Sequence, residues 1–325
     1  MLREAFHMAL SPLVMAARLV QNRLAQPALI LLYHRVATLA ADPQLLAVTP
    51  DNFRAQMRHL KENFTLARLE DEWSRLDRPA VVVTFDDGYA DNATEALPIL
   101  EELQVPATFF VATSLLGTER EFWWDEVERL LLAQREFPAF FELGQGRGAR
   151  RWPTAEAPQR ARMYREILPI LRQCLPQLRH DCLERLRFWA AAGAAGRSSH
   201  RVLSCEELRR LAASPLVTLG AHTVSHSSLS TLPLPRQREE IMASKKLLEE
   251  LLAQRVRVFS YPFGTRGDYT AETVALCREA GFSRVAANFP GQWRADSDPF
   301  QLPRQIVRNW DLPTFKKQLE RFWIS

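Results

Sequence analysis

Short apolar runs alternate with amphipathic stretches along most of this chain. The runs at 28–36 (ALILLYHRV), 80–88 (AVVVTFDDG), 107–113 (ATFFVAT), 216–226 (LVTLGAHTVSH), 256–264 (VRVFSYPFG), 282–289 (FSRVAANF) and 300–309 (FQLPRQIVRN) read as strands. They are short and rich in β-branched and aromatic residues. Between them, 49–64 is predicted as a helix with Thr49 as N-cap and Pro50 at its first position. Helices are also predicted at 92–105, interrupted by Pro98, at 238–254 and at 270–281. Strand–helix alternation of this kind implies parallel strands joined by crossover helices, an α/β fold. The rhythm breaks between about 118 and 213, where almost no strand signal occurs. FWWDEVERLLLAQ and ARMYREILPILRQCLPQLRHDCLERLRFWAAA read as helices there, an insertion over about 118–205. Ahead of the first strand, residues 1–27 are predicted as an N-terminal helical extension. Its apolar face would comprise Leu10, Leu13, Val14, Ala17 and Leu24, with Arg3, Arg18 and Arg23 nearby. It reads as a packing helix, with a membrane-surface anchor as the alternative.

Composition changes this picture little. At 325 residues, 47% hydrophobic and 25% charged, the chain has the make-up of a globular protein. Disorder is expected only near 143–159. The net charge is +4, and all but five of the 42 basic residues are arginine. That bias reads as codon usage, or as a surface that meets acidic glycans or anionic lipid. No basic run alternates with aromatics, so nucleic acid is not an expected partner. Cys174, Cys182, Cys205 and Cys277 show no CxxC spacing and read as free thiols, which favours a reducing compartment. No signal peptide and no apolar window of about 18 residues is present, so the expected location is cytoplasmic, with peripheral contact at the inner membrane face as an option. Oligomeric state is left open.

Two stretches carry chemistry. In TFDDGYADN an apolar run ends on two adjacent carboxylates, Asp86 and Asp87, before Gly88. In LGAHTVSH, His222 and His226 stand four apart after another apolar run. On a helical turn both imidazoles would lie on one face and could meet one ion. Two histidines and a carboxylate make an open divalent-metal set. One aspartate then binds the metal, and the other stays beside it as a base. Both stretches follow predicted buried strands, whose ends are where parallel α/β folds place their sites.

These stretches resemble the first two motifs of the polysaccharide deacetylases, the NodB-homology fold of carbohydrate esterase family 4, and FSYPFG (259–264) resembles the third. LLYHRV and VTPDNFRAQMRHL are similar to the branch of that family that opens with a Tyr-His strand. The resemblance covers about 28–117 and 205–310 and leaves out the insertion. It implies a distorted (β/α)7 barrel, here with a helical insertion, and metal-dependent removal of N-acetyl groups from a glycan or lipid-linked sugar in cell-envelope or exopolysaccharide assembly. It further implies that Asp87, His222 and His226 bind the metal, that Asp86 is the general base, and that the backbone of Phe263 serves the oxyanion. Tyr261 and Tyr89 are grouped with Phe263 on the substrate side. Zinc is the first choice, with cobalt, nickel and manganese as alternatives.

The chain departs from the family pattern twice. Ser260 stands where the third motif has an arginine, and Arg304 in LPRQIV is the candidate to supply that cation. Leu-x-His is replaced by LPR; in the branch with the Tyr-His strand that strand's histidine serves as the acid, so the resemblance implies His34 as the candidate general acid here. Tyr89, Phe263, Trp293, Trp310, Trp123 and Trp124 are candidates to stack on sugar, against a default of core packing. Two other readings compete: an amidase on a small non-sugar amide, and an inactive scaffold that binds glycan.

Overall fold

The fold is that of a computed structural model, which describes residues 27–323 apart from 74, 75, 77, 78, 134, 135 and 145–148. Seven strands follow the predicted runs: β1 (Ala28–Tyr33), β2 (Ala80–Phe85), β3 (Ala107–Val111), β4 (Val217–Ala221), β5 (Val258–Ser260), β6 (Arg284–Ala286) and β7 (Gln305–Ile306). They lie side by side in the order β6-β5-β4-β3-β2-β1-β7, every pairing parallel, with Thr65–Leu66 added beside the start of β2. The sheet curls until its ends meet: Leu302, just before β7, bridges to Ala286 of β6. This is the distorted (β/α)7 barrel of the NodB type. The strands read as unbroken apolar runs because the central ones are covered on both faces; every residue of β1, β2 and β3 is buried.

Around the sheet lie α1 (Pro50–Asn63), α2 (Leu97–Leu103), α6 (Cys205–Ala213), α7 (Leu234–Leu252), α8 (Ala271–Glu279) and α9 (Leu312–Phe322). The insertion between β3 and α6 carries α3 (Trp123–Leu132), α4 (Ala157–Gln173) and α5 (Pro176–Trp189). α1 starts as its sequence predicts: Thr49 accepts from Asn52 N–H, and Pro50 occupies the first turn. Its Phe53 packs with Tyr33 and Phe85, ring centroids 5.4–5.7 Å apart, joining helix to β1 and β2. Burying each such ring contributes about 1.5–3 kcal/mol.

The boundaries differ from the periodicity in five places. The 28–36 run breaks at His34, and only Arg35–Val36 continues as a separate short strand. The 92–105 helix changes character at Pro98: a π-helical turn, Asn92–Ala96, runs directly into α2, which has the proline in its first turn. The predicted strands at 282–289 and 300–309 shrink to three and two residues. The insertion, expected to be helical, also contains an antiparallel hairpin, Phe140–Leu143 with Arg150–Pro153, whose second strand lies within the 143–159 stretch expected to be disordered. Its alternating exposed and buried residues show a face half in water, a weak pattern in so short a strand. The amphipathic extension before residue 27 lies outside the described residues. Among the described residues no helix is long and apolar enough to cross a membrane.

Candidate active site

Asp86 and Asp87 leave the end of β2, His222 follows β4, Ser260 ends β5, and Arg304 immediately precedes β7. Parallel pairing therefore delivers the aspartates, His222 and Ser260 to one end of the barrel; Arg304 stands lower, just ahead of Gln305, which is level with Leu31, and its side chain reaches up to join them. The turn after β2 takes left-handed backbone at Asp87 (φ 77°) and Gly88 (φ 88°). A Cβ on Gly88 would lie 2.9 Å from Cγ1 of Val111, so this position needs glycine for both conformation and space.

Asp87 Oδ1 lies 3.1 Å from His226 Nε2 and 3.5 Å from His222 Nε2. The three side chains are buried and offer one ligand atom each within 4.8 Å of one another. The two imidazoles do not meet through a helical turn. Residues 222–226 form an irregular loop with left-handed Thr223 (φ 65°) and His226 (φ 50°), and this replaces the i, i+4 geometry expected from sequence. Left-handed non-glycine residues recur at this site, at Asp87, Thr223, His226 and Phe263, as functional sites tend to concentrate such strain. His222 Nδ1 sits 2.7 Å from the Ser260 carbonyl, which can only accept. The proton is thereby fixed on Nδ1, and Nε2 presents a lone pair toward the aspartates. That Nε2 is buried without a hydrogen-bond partner. A lone pair turned on carboxylate oxygens with no donor between them is the environment a divalent cation satisfies, and the two-His, one-Asp set suits one. Burial pushes the Asp87 carboxyl up, but the imidazoles of His226 and His222 hold it far below the usual carboxylate range.

Asp86 is held differently. Arg304 donates to both of its carboxylate oxygens at 2.7 Å. The same guanidinium donates to the Ala287 carbonyl at 2.7 Å and to Ser260 Oγ at 2.8 Å. Burial pushes the Asp86 carboxyl up, but Arg304, with His222 and His34, outweighs it and holds the group below the usual carboxylate value. Ser260 itself lies 3.3 Å from Asp86 Oδ2, and its short side chain leaves the space that the arginine fills. His34 follows β1, its carbonyl accepting from Asn92 Nδ2 at 2.9 Å. Burial lowers its pKa, and Asp87 and Asp86 are the strongest charges opposing that shift, so the imidazole lies in their field.

Phe263 is left-handed (φ 59°), and its ring meets that of His226 edge-on at 4.8 Å. Trp124 of α3 flanks His226 from the insertion side at 4.6 Å. Tyr261 and Tyr89 are not turned toward this cluster, which corrects their expected place on the substrate side. Tyr261 stacks on Tyr269 in the core; its hydroxyl donates to the Phe300 carbonyl and its N–H to Ala286. The Tyr89 hydroxyl donates to Asp125 at 2.6 Å and accepts from Trp124 Nε1 at 2.8 Å, deep in the insertion's core. Trp293 packs against Trp73.

Sequence reasoning missed the residues that hold these loops. Glu240 accepts the N–H groups of Val224 and Ser225. Buried Asp268 accepts from Ser228 Oγ and Thr265 N–H, tying the second-motif loop to the third. Arg172 of α4 grips both oxygens of Asp268 at 2.6 and 2.7 Å and lies 4.2 Å over the Phe263 ring. Arg179 of α5 donates to the Ser225 carbonyl and Ser227 Oγ on either side of His226. Only proximity in space marks these side chains, and no local spacing signals it.

Comparison with known proteins agrees with this architecture. The family model for polysaccharide deacetylases matches residues 74–137 and 182–285. The Bacillus subtilis protein YxkH, assigned to polysaccharide deacetylases by its name alone, is 21% identical over 285 residues, 86% of this chain and 70% of that protein. The poly-beta-1,6-N-acetyl-D-glucosamine N-deacetylase of Escherichia coli K12 is 33% identical over 93 residues, 26% of this chain but 14% of that protein. In fold, the chain is similar to IcaB from Ammonifex degensii, with a TM-score of 0.57 and 18% identity over 92% of this chain and 98% of that one. The match to the Streptococcus pyogenes deacetylase PplD has the same TM-score and identity, over 90% and 97%. With the family model spanning both motif-bearing halves of a barrel built in this way, the chain belongs to the polysaccharide deacetylase family.

Proposed function

We propose that this chain is a divalent-metal-dependent hydrolase that removes N-acetyl groups from a glycan or lipid-linked sugar during exopolysaccharide or cell-envelope assembly. The observation that carries this reading is the Asp87–His222–His226 cluster, with Asp86 ionised beside it in the grip of Arg304. Asp87, His222 and His226 would hold the ion, zinc by preference for this mixed nitrogen and oxygen set. A divalent cation there supplies Lewis-acid polarisation of an acetyl carbonyl and a water that ionises near neutral pH.

The chain's own groups do the rest. Asp86, whose carboxylate stands next to Asp87 but outside the cluster, takes a proton from the attacking water. Arg304 keeps it ionised and fixed in orientation. The Phe263 N–H, on its left-handed turn, would donate to the oxyanion. His34, in the field of Asp86 and Asp87, is the candidate to pass a proton on to the leaving amine. Trp124 and Phe263 wall the site beside His226 and exclude water from its far side. The similarity to a poly-N-acetylglucosamine N-deacetylase supports an N-acetylated polysaccharide as the substrate. The proposed compartment is the cytoplasm or its membrane face.

The test is acetate release from a panel of N-acetylated glycans, with and without chelator. Release that chelation abolishes, and that Asp86→Asn lowers about 10²–10⁴-fold, is the expected result. Metal retained without acetate release from any glycan would leave a binding scaffold instead.

A further inference from the structure

A second group of ligand-type side chains lies inside the insertion, away from the motif cluster. Asp125 and Glu128 stand three apart on α3 and so share a face. His200 reaches them from the return segment before α6. All three are buried, and each offers a ligand atom within 4.8 Å of the other two. Each is also held from behind. The Tyr89 hydroxyl donates to Asp125 Oδ2 at 2.6 Å, Arg197 to Glu128 Oε1 at 2.8 Å, and Ser199 Oγ lies 2.9 Å from His200 Nδ1. That leaves one carboxylate oxygen on each acid and His200 Nε2. Outer partners of this kind are what orient ligands around a metal.

Tyr164 of α4 adds an independent sign. It is 5% exposed, its hydroxyl has no hydrogen-bond partner, and the charges of Glu128 and Asp125 act on it most strongly after burial itself. A buried hydroxyl ordinarily has a hydrogen-bond partner. Of the nearby guanidiniums, Arg197 pairs with Glu121 and with one oxygen of Glu128 itself and meets Asp125 only at its backbone carbonyl, while Arg35 pairs with Asp91.

We propose that Asp125, Glu128 and His200 form a second divalent-cation site, of the zinc or manganese class, which fastens the insertion to the first motif through Tyr89. One nitrogen and two carboxylate oxygens suit those ions. This site lies behind the aromatic wall of the motif cluster, and its role is structural.

The test counts metal on the full chain, stripped with chelator, dialysed against zinc and analysed by mass spectrometry. The expected result is two ions per chain, one after His222→Ala, one after His200→Ala, and none in the double variant. Zinc should raise the melting temperature of His222→Ala but not of the double variant. Asp125→Asn and Glu128→Gln are near-isosteric, and either should lose one ion with an unchanged far-ultraviolet circular dichroism spectrum. A single ion in the wild type that His222→Ala removes and His200→Ala retains overturns the proposal, whatever the other variants do. So do two ions that both survive His200→Ala. A single ion that only His200→Ala removes supports this site and sinks the motif cluster as a metal centre.

Discussion

At the scale of the residue, the Asp86–Arg304 pair shows how one side chain's environment sets its chemistry. A buried carboxylate without a counter-charge protonates instead of staying ionised. Here both oxygens are taken by one planar guanidinium, which lysine cannot reproduce with a single ammonium. Removing the arginine leaves a charge buried alone, so Arg304→Met should destabilise the protein by about 3–5 kcal/mol in urea unfolding. The pH dependence follows from the direction of the shift. Asp86 titrates below its unfolded value of about 4. Its pairing therefore adds stability above that value and loses it as pH falls through the folded pKa. Urea unfolding of the chelated protein should show stability declining below about pH 5, with Asp86→Asn flattening part of the decline. An equal slope in both proteins would show that Asp86 is not the linked group.

At the scale of the element, the insertion is part of the site's scaffold. Arg172 and Arg179, one on each of two consecutive insertion helices, hold the loops that carry Phe263 and His226. Buried Asp268 is the junction between these loops, so losing Arg172 would also strand its carboxylate. Arg179→Met should weaken metal binding about 10–100-fold by titration calorimetry, the usual effect of removing an outer support of a ligand. Unchanged affinity with a lowered melting temperature would make Arg179 a packing residue only. The periodicity of α4 and α5 announces helices, but it does not say which of their many arginines reach the motif loops.

At the scale of the whole molecule, barrel and insertion share a core. Tyr89 and Ala112 of the barrel and Val202 of the return segment sit in one apolar cluster with Phe122, Trp124, Val127, Met163 and Leu186. The insertion is thus a second layer packed on the site end of the barrel, not a flap hinged to it. Deleting 118–204 should uncover Tyr89 and strip Phe263 and His226 of their supports. The expected outcome is a barrel that aggregates on size-exclusion chromatography and melts without a cooperative transition. A monodisperse deletion variant that still melts cooperatively would show the two cores to be independent.

The sequence by itself determined the parallel α/β architecture, because fully buried strands must read as unbroken apolar runs and crossover helices as amphipathic ones. It also marked Asp86, Asp87, His222 and His226, since carboxylates and imidazoles at the ends of such runs are costly without a purpose. Tertiary structure alone decided how they meet: a strained loop in place of a helical turn, Arg304 reaching Asp86 from 218 residues away, and two tyrosines turned into cores. The physical reason is range. Periodicity and capping act over a few neighbours and leave their mark in local spacing. Which distant side chains share a buried point depends on how the sheet curls and what covers its end, and no local pattern encodes that.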